Sequence, residues 1–332
     1  MAIPLLLQPQ SLLGLYEKYG DETPCAVLNW FPDRPATEAG QSVQYDTIKY
    51  TTDVAQINVR GGQPNSVKPA VRGSVVGRAI TLSEQIIIPP TVVKDLRDAG
   101  SNAPAGAQAY VARAMKQLRI RVGKRKALMA AQCLGTASGL LSFTPPGAAA
   151  AETVSLNYTA THQTWSTAMS TVGTDVMGTI LDAKNLIVAD GGKLPTEMVL
   201  NSVVGDYLAK NTKILSILSD VAKDKLLETG RLTRLCELNV HYIDDVYTVA
   251  GGANTKVIPD AFCAIFAGDN SDRGMIEMAP ATLLAPDAHR GMFFHVVEGR
   301  EINDPITVQY EYNFFPMLAN PDEVVYDVNV NG

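Results

Sequence analysis

Residues 105–134 read AGAQAYVARAMKQLRIRVGKRKALMAAQCL, a stretch with no proline and no acidic side chain. Apolar residues recur at Val111, Met115, Leu118 and Val122, then at Leu128 and Met129, the spacing of one helix face. Ala103, Ala105, Ala107, Ala109, Ala112 and Ala114 add helix propensity. Pro104 suits a first turn, Ser101 or Asn102 can cap it, and Gly135 is a stop signal. The stretch predicts a single helix over 105–134, roughly 45 Å long at 1.5 Å per residue.

The charge on this helix matters more than its length. Arg113, Lys116, Arg119, Arg121, Lys124, Arg125 and Lys126 share one sign, and no Asp or Glu occurs from Ala99 to Ala151. Like charges four residues apart, such as Arg121 and Arg125, oppose each other. The helix therefore calls for anions from another element, another subunit, or a polyanion. A solvated basic face is the competing reading.

At 332 residues, with 46% hydrophobic and 19% charged, the chain can bury a substantial core as one large domain or two ordinary ones. Its net charge is −6, so the compensating acids lie outside the helix. No Lys or Arg follows Arg300, whereas Glu301, Asp304, Glu311, Asp322, Glu323 and Asp327 do. Such polarity suits head-to-tail contact between copies as well as contact within one copy. Cys25, Cys133, Cys236 and Cys263 form no CxxC pair, and His162, His241, His289 and His295 have no zinc-like spacing. Reduced, mostly buried thiols are expected, and neither a metal nor a cofactor. The run Ile3–Leu7 is short and broken by Pro4, unlike a signal peptide. No apolar run approaches the ~18 residues of a membrane span.

Working outward from the helix, residues 1–39 read as an arm. Ser11 starts a short amphipathic helix, Leu12–Tyr19, ended by Gly20; Pro24, Pro32 and Pro35 follow. Trp30 and Phe31 belong to no periodic segment and are expected to dock onto the same domain or a neighbour. In residues 40–90, Val43 and Tyr45 alternate with polar residues, with a phase slip near Thr47 that suggests a bulge. Ala55, Ile57 and Val59 alternate in the same way before a turn-rich tip at Gly61-Gly62 and Pro64-Asn65, and Val71–Glu84 returns. From Val54 to Ser83 this hairpin carries Arg60, Lys68, Arg72 and Arg78 and no acid, so it is a second basic element, either solvated or reaching an acidic partner.

Beyond the helix, 135–151 reads as a loop rich in Ala, Gly and Pro. Met169, Val172, Val176, Ile180, Ala183 and Ile187 suggest a helix within 161–189. Residues 193–290 have an α/β pattern: strands at Glu197–Leu200, Cys236–Ile243, Val246–Val249 and Phe262–Phe266, with helices at Val203–Leu208 and Ile214–Leu218. The clearest strand is Ile306–Phe314, where Ile306, Val308, Tyr310, Tyr312 and Phe314 alternate with polar residues without a fault. Paired with Met292–Glu298, it can bury its apolar side against the long helix as an α+β layer. A last strand is expected at Val324–Val330.

Known catalytic motifs are missing: no GxGxxG, P-loop, GxSxG or HExxH occurs. His241 with Asp244 and Asp245 is the best acid–base cluster, although such a cluster satisfies little of what a catalytic site requires. Asp269, Asn270 and Asp272 begin like a calcium loop, but its twelfth position would be Pro280. Trp30 and Trp165 read as packing residues.

The order of parts resembles the major coat proteins of tailed double-stranded DNA phages, with the Hong Kong 97-type fold, and within them the lambda-type capsid protein E family. The resemblance is carried by Arg60-Gly61-Gly62, by Val257-Ile258-Pro259-Asp260 followed by Phe266-Ala267-Gly268, and by Pro316-Met317-Leu318-Ala319-Asn320-Pro321-Asp322-Glu323. Asn320 departs from the Asp common in that family. The resemblance implies an N-arm over 1–39 and an extended loop within 40–90. It further implies a peripheral domain over 91–189 and 291–317, with its spine helix at 105–134, and an axial domain over 190–290 and 318–332.

The implied function is structural, not enzymatic. Copies would assemble through hexamers and pentamers into an icosahedral shell around double-stranded DNA, in the host cytoplasm, ending in the virion. A separate scaffold protein, a portal and a decoration protein are the implied partners. Arg60, Lys68, Arg72, Arg78, Trp30 and Phe31 would contact neighbouring subunits. The helix cations would face packaged DNA, reading only phosphate, or acids of a partner. Alternatives remain: an encapsulin-like compartment shell, a soluble DNA-binding protein using the basic helix, or an α/β enzyme using the His241 region.

Overall fold

The computed structural model describes residues 5–18, 25–35, 42–49, 71–98, 105–144, 150–165, 168–248, 252, 254–278, 292–297 and 304–330. The first elements are α1 (Pro9–Lys18), β1 (Asp33–Pro35), β2 (Ser42–Ile48), β3 (Val71–Arg78), β4 (Ile80–Ile88), α2 (Pro90–Asp98) and α3 (Ala105–Leu134). After β5 (Leu140–Phe143) and β6 (Glu152–Ser155) come α4 (Val176–Gly191), β7 (Glu197–Leu200), α5 (Ser202–Lys210), α6 (Thr212–Ile217) and α7 (Asp220–Thr229). The remaining strands are β8 (Arg234–Leu235), β9 (Leu238–Tyr242), β10 (Val246–Thr248), β11 (Asn254–Lys256), β12 (Cys263–Phe266), β13 (Arg273–Met278), β14 (Met292–Val297), β15 (Ile306–Leu318) and β16 (Val324–Asp327).

Helix α3 spans the expected residues and buries the expected face. Val111, Met115, Leu118, Val122 and Met129 are each at most 3% exposed and share one core with Val308, Tyr310, Tyr312 and Phe314 of β15. Each such fully buried side chain contributes about 1.5–3 kcal/mol. Strand β15 is the centre of the larger sheet. It pairs antiparallel with β4 from Ile306↔Ile88 to Phe314↔Ile80, with β14 from Thr307↔Val297 to Tyr312↔Met292, and then with β13 from Asn313↔Met278 to Leu318↔Arg273. Parallel β1 closes the sheet beyond β13. The alternation holds to Phe314. The strand then runs four residues further than expected with Phe315 buried as well, because the β2–β3 sheet covers that end. A Cβ at Gly77 would lie 2.4 Å from the Phe315 ring, so the two sheets cross where β3 has no side chain.

The second sheet, in the order β16-β12-β7-β9-β8, shares a core with α4, α5 and α6. Ile180, Ile187, Met198, Leu200, Val204, Leu208, Ile214 and Ile265 are all buried there. Local chemistry sets its helix ends. The Asp175 carboxylate accepts from Gly178 N, Asn201 Oδ1 from Val204 N, and Asn211 Oδ1 from Ile214 N, while Gly192 closes α4 at φ +67°.

Several expectations need correction. The helix expected within 161–189 begins only at Val176, because Thr174 Oγ1 bonds to the Ala168 and Thr171 carbonyls and holds a turn instead. The return strand Val71–Glu84 is two strands separated by Ala79, β3 pairing with β2 and β4 with β15. The bulge is present, as a register shift between Thr47 and Ile48. Arg273–Met278 lies in the first sheet, and α4 packs in the second core. Strand Ala55–Arg60, the hairpin tip, the caps before α3 and the loop at Pro145–Gly147 lie outside the described residues.

Candidate functional site

The seven cations of α3 do not share one environment. Lys126 is 8% exposed, and its Nζ pairs with the Asp33 carboxylate, lies 3.9 Å from Glu277 Oε1 and stands 5.3 Å over the Tyr312 ring. Tyr312 Oη donates to Glu277 Oε1 at 2.6 Å. Burial pushes the Glu277 carboxyl up, and the nearby Asp33 charge adds to this. Lys126 therefore faces inward to acids of its own chain and cannot line a DNA-facing surface. Arg119 stacks 4.6 Å over the Tyr16 ring, whose phenol burial pushes up to about 12. Arg121 Nη2 pairs with Glu84 Oε1 at 2.5 Å on the surface.

Arg113, Lys124 and Arg125 are exposed and have no acidic partner among the described residues, and Lys116 is partly exposed. Arg113 and Lys124 are eleven residues apart, about three turns, so they lie on one face opposite the buried stripe. From Arg113 to Arg125 the cationic strip extends about 18 Å.

The hairpin cations and the arm divide in a similar way. Arg78 lies 3.6 Å from Glu152 with most of its side chain in solvent. Arg72 lies in β3, and Arg60 and Lys68 lie outside the described residues. Trp30 and Phe31 are 7% and 1% exposed and sit in the chain's own core. Trp30 packs edge-on against Phe266 and His241, with ring centroids 5.2 and 4.9 Å away. They are not available to a neighbouring subunit, because the arm docks on its own molecule through them.

The most concentrated charge cluster was not legible in the sequence. Two connections carry the chain between the sheets: Ala267–Asp272 joins β12 to β13, and Ala319–Glu323 joins β15 to β16. Ala319 N donates to Asp272 O at 2.8 Å between them. Buried Arg273 lies 3.1 Å from Glu323 Oε1, donates to the Ala267 and Asp269 carbonyls, and stacks 4.7 Å over Phe266. Lys193 reaches Asp272 at 2.6 Å, Glu323 at 3.1 Å and Asp269 at 3.3 Å. Burial pushes Glu323 up and Arg273 down. Burial would also lower Lys193, but the Asp272 hydrogen bond and the Glu323 charge outweigh it and hold the ammonium well above its usual range.

Arg34 of the arm ties into the same connection through the Asn270 and Ser271 carbonyls, at 2.7 and 2.5 Å. Asn320, buried, donates to Gly191 O at 3.0 Å, a bond that an Asp at this position, being ionised, could not donate. The segments 266–268 and 316–323, quoted above for the family resemblance, thus meet at one junction.

Chemistry of other kinds finds little support in the geometry. His241 Nε2 faces Glu197 Oε2 at 2.5 Å, whereas Asp244 accepts from Ser202 N at 2.9 Å and pairs with Arg231. The expected His241–Asp244–Asp245 cluster is therefore not assembled. The calcium-like turn instead receives Lys193, and Ser271 holds Asp269 down to about 2. An open depression of about 520 Å³ beside it is lined by Lys193, Leu194, Thr196, Glu197, Gly268 and Asp269, and its cation is already neutralised. Among the described residues no group of His, Cys, Asp and Glu could hold a metal ion, and no helix is long and apolar enough to cross a membrane. All four cysteines are free; Cys25, Cys133 and Cys263 are buried.

No family model and no curated protein matches the sequence. Solved structures do match. A prophage protein of Escherichia coli CFT073, described as a candidate capsid protein, aligns with TM-score 0.64 and 12% identity over 97% of this chain and 99% of its own. A phage-related protein of Bordetella bronchiseptica RB50 aligns with TM-score 0.59 and 11% identity over 96% of each chain. The capsid-type α+β fold expected from the sequence is the fold of this chain.

Proposed function

We propose that this chain is the major capsid protein of a tailed phage, a structural rather than catalytic subunit. Copies associate through hexamers and pentamers into a closed icosahedral shell around double-stranded DNA. The shell assembles in the host cytoplasm with a separate scaffold protein and a portal, and a decoration protein is a further candidate partner. The observation that carries this reading is the end-to-end fold match with the prophage capsid candidate, with nearly all of both chains aligned. The placement in the lambda-type group rests on the sequence motifs alone.

Arg113, Lys124 and Arg125 support the DNA part of the reading. They are the α3 cations left exposed and without acids among the described residues, and they suit sequence-independent phosphate contact. Arg72 and Arg78, with Arg60 and Lys68, are proposed as contacts to acids of an adjacent subunit. Electron microscopy of the purified protein tests the reading. Closed, uniform shells support it, and small stable oligomers that persist when the scaffold protein of the same phage is co-produced overturn it. Nuclease-protected DNA in particles from producing cells separates a virion shell from an encapsulin-like compartment, whose interior would be free of it.

A further inference from the structure

Helix α7 is only lightly tied to the fold of one chain, through partly buried Leu226. None of its residues is fully buried, although Ser219 and Gly230 cap it. Leu227 is 85% exposed, Val221 68% and Ile217, just before it, 67%. Leu226 packs against the second core, and a ten-residue helix with so little tertiary packing is marginal in water. Clustered exposed apolar residues of this size mark contact surfaces.

The charges around α7 indicate what covers it. Asp220, Asp224 and Glu228 follow one another at four-residue steps and so form a ridge on one face. Val221 and Leu227 each lie three residues from Asp224 and flank that ridge. Asp224 and Glu228 have no cationic partner among the described residues. Exposed Lys210 and Lys213, where α5 ends and α6 begins, likewise have no acidic one. Lys223, 3.7 Å from Asp220, and exposed Lys225 lie beyond the apolar flanks, and Asp206 stands four residues before Lys210. One copy therefore offers an apolar-flanked ridge with Asp224 and Glu228 unanswered and a corner with Lys210 and Lys213 unanswered among the described residues.

We infer that α7 of one copy docks head-to-tail on the α5–α6 corner of a second copy. A contact of this type is heterologous, joining two different patches, and it repeats around a ring. The inference rests on the shell-forming reading and adds the surface through which copies recognise each other. The apolar side chains supply contact area, and the charges set direction and exclude the reversed pairing.

Complementary charge reversal tests this. One variant carries Asp224→Lys and Glu228→Lys, the other Lys210→Glu and Lys213→Glu. All four positions are exposed, so circular dichroism and thermal unfolding should match wild type and show that both variants fold. Light scattering then measures the concentration at which each associates. The wild-type protein should assemble. Each variant alone should need about tenfold more protein or more, since attractions become repulsions at every contact. An equimolar mixture should associate again, because the basic ridge of one meets the acidic corner of the other. Alternation of two variants closes only even-numbered rings, so the mixture should form rings without regaining uniform shells. Variants that assemble like wild type, or a mixture no better than its parts, would overturn the α7 contact and leave the shell reading intact. A wild-type chain that stays monomeric would overturn the shell reading and this contact with it.

Discussion

Arg273 and Glu323 are both fully buried and face each other at 3.1 Å. Arg273 Nε and Nη1 make no well-formed hydrogen bond among the described residues, whereas Nη2 donates to the Ala267 and Asp269 carbonyls and Glu323 Oε2 lies 3.1 Å from Lys193 Nζ. Removing Arg273 leaves buried Glu323 with Lys193 as its remaining cation and frees the two carbonyls that Arg273 holds. Arg273→Met is expected to cost about 3–5 kcal/mol, read as a lower urea midpoint. Arg273→Met with Glu323→Leu should recover much of that loss, because a paired buried charge is worth little more than packed apolar groups. A double variant weaker than the single would contradict this account.

Glu277 gives a pH dependence of definite sign. Burial raises its folded-state pKa above the ordinary 4.5, so the folded chain holds the proton to higher pH than the unfolded chain. Stability from this group falls as pH rises through the window above 4.5 up to the raised value. Glu277→Gln should flatten that part of a stability–pH curve measured by urea unfolding. An unchanged slope would refute the assignment. Neither cluster was legible beforehand: Lys126 and Asp33 are 93 residues apart, and only the folded chain makes them neighbours.

At the scale of elements, periodic segments were legible and close approaches were not. The α3 boundaries, the β15 alternation, β7 and the Thr47 bulge all follow from local pattern, because burial on one face imposes a repeat on the sequence. Trp30 and Phe31 lie in a proline-rich stretch with no repeat, so docking could be expected of them but not the surface they dock on. Helix α7 has no fully buried residue and packs through Leu226 alone of its apolar side chains, so it leaves no apolar stripe to find. The break at Ala79 was hidden because β3 and β4 are consecutive strands in different sheets. The crossing at Gly77 makes this testable. Gly77→Ala forces a methyl into the Phe315 ring and should cost about 1–3 kcal/mol. Gly106→Ala, near the start of α3 with nothing within 4 Å, should be neutral or stabilise by up to about 1 kcal/mol. Paired melting curves check both, and equal shifts would mean that the two sheets do not meet at Gly77.

For the whole molecule, the basic helix of a chain with net charge −6 poses one question: which cations are answered within the fold, and which are left for something outside it. Lys126 is answered by Asp33 and Glu277, Arg121 by Glu84, and Arg119 by the Tyr16 face. These three hold the arm, the sheet and the helix together. Substituting Lys126 by Gln should therefore lower the unfolding midpoint, with little effect on any polyanion. Arg113, Lys124 and Arg125 should behave in the opposite way. Changing all three to Gln should leave the melting temperature of the unassembled chain unchanged, since none has an acidic partner among the described residues. If they meet DNA phosphates, each lost contact removes about 0.9 from the slope of log affinity against log salt, so the triple variant should flatten it by up to about 2.7. Filter binding of random-sequence duplex across a salt series measures that slope. A triple variant with the wild-type slope would return these side chains to the solvated face, and the shell would have to hold its DNA by other residues.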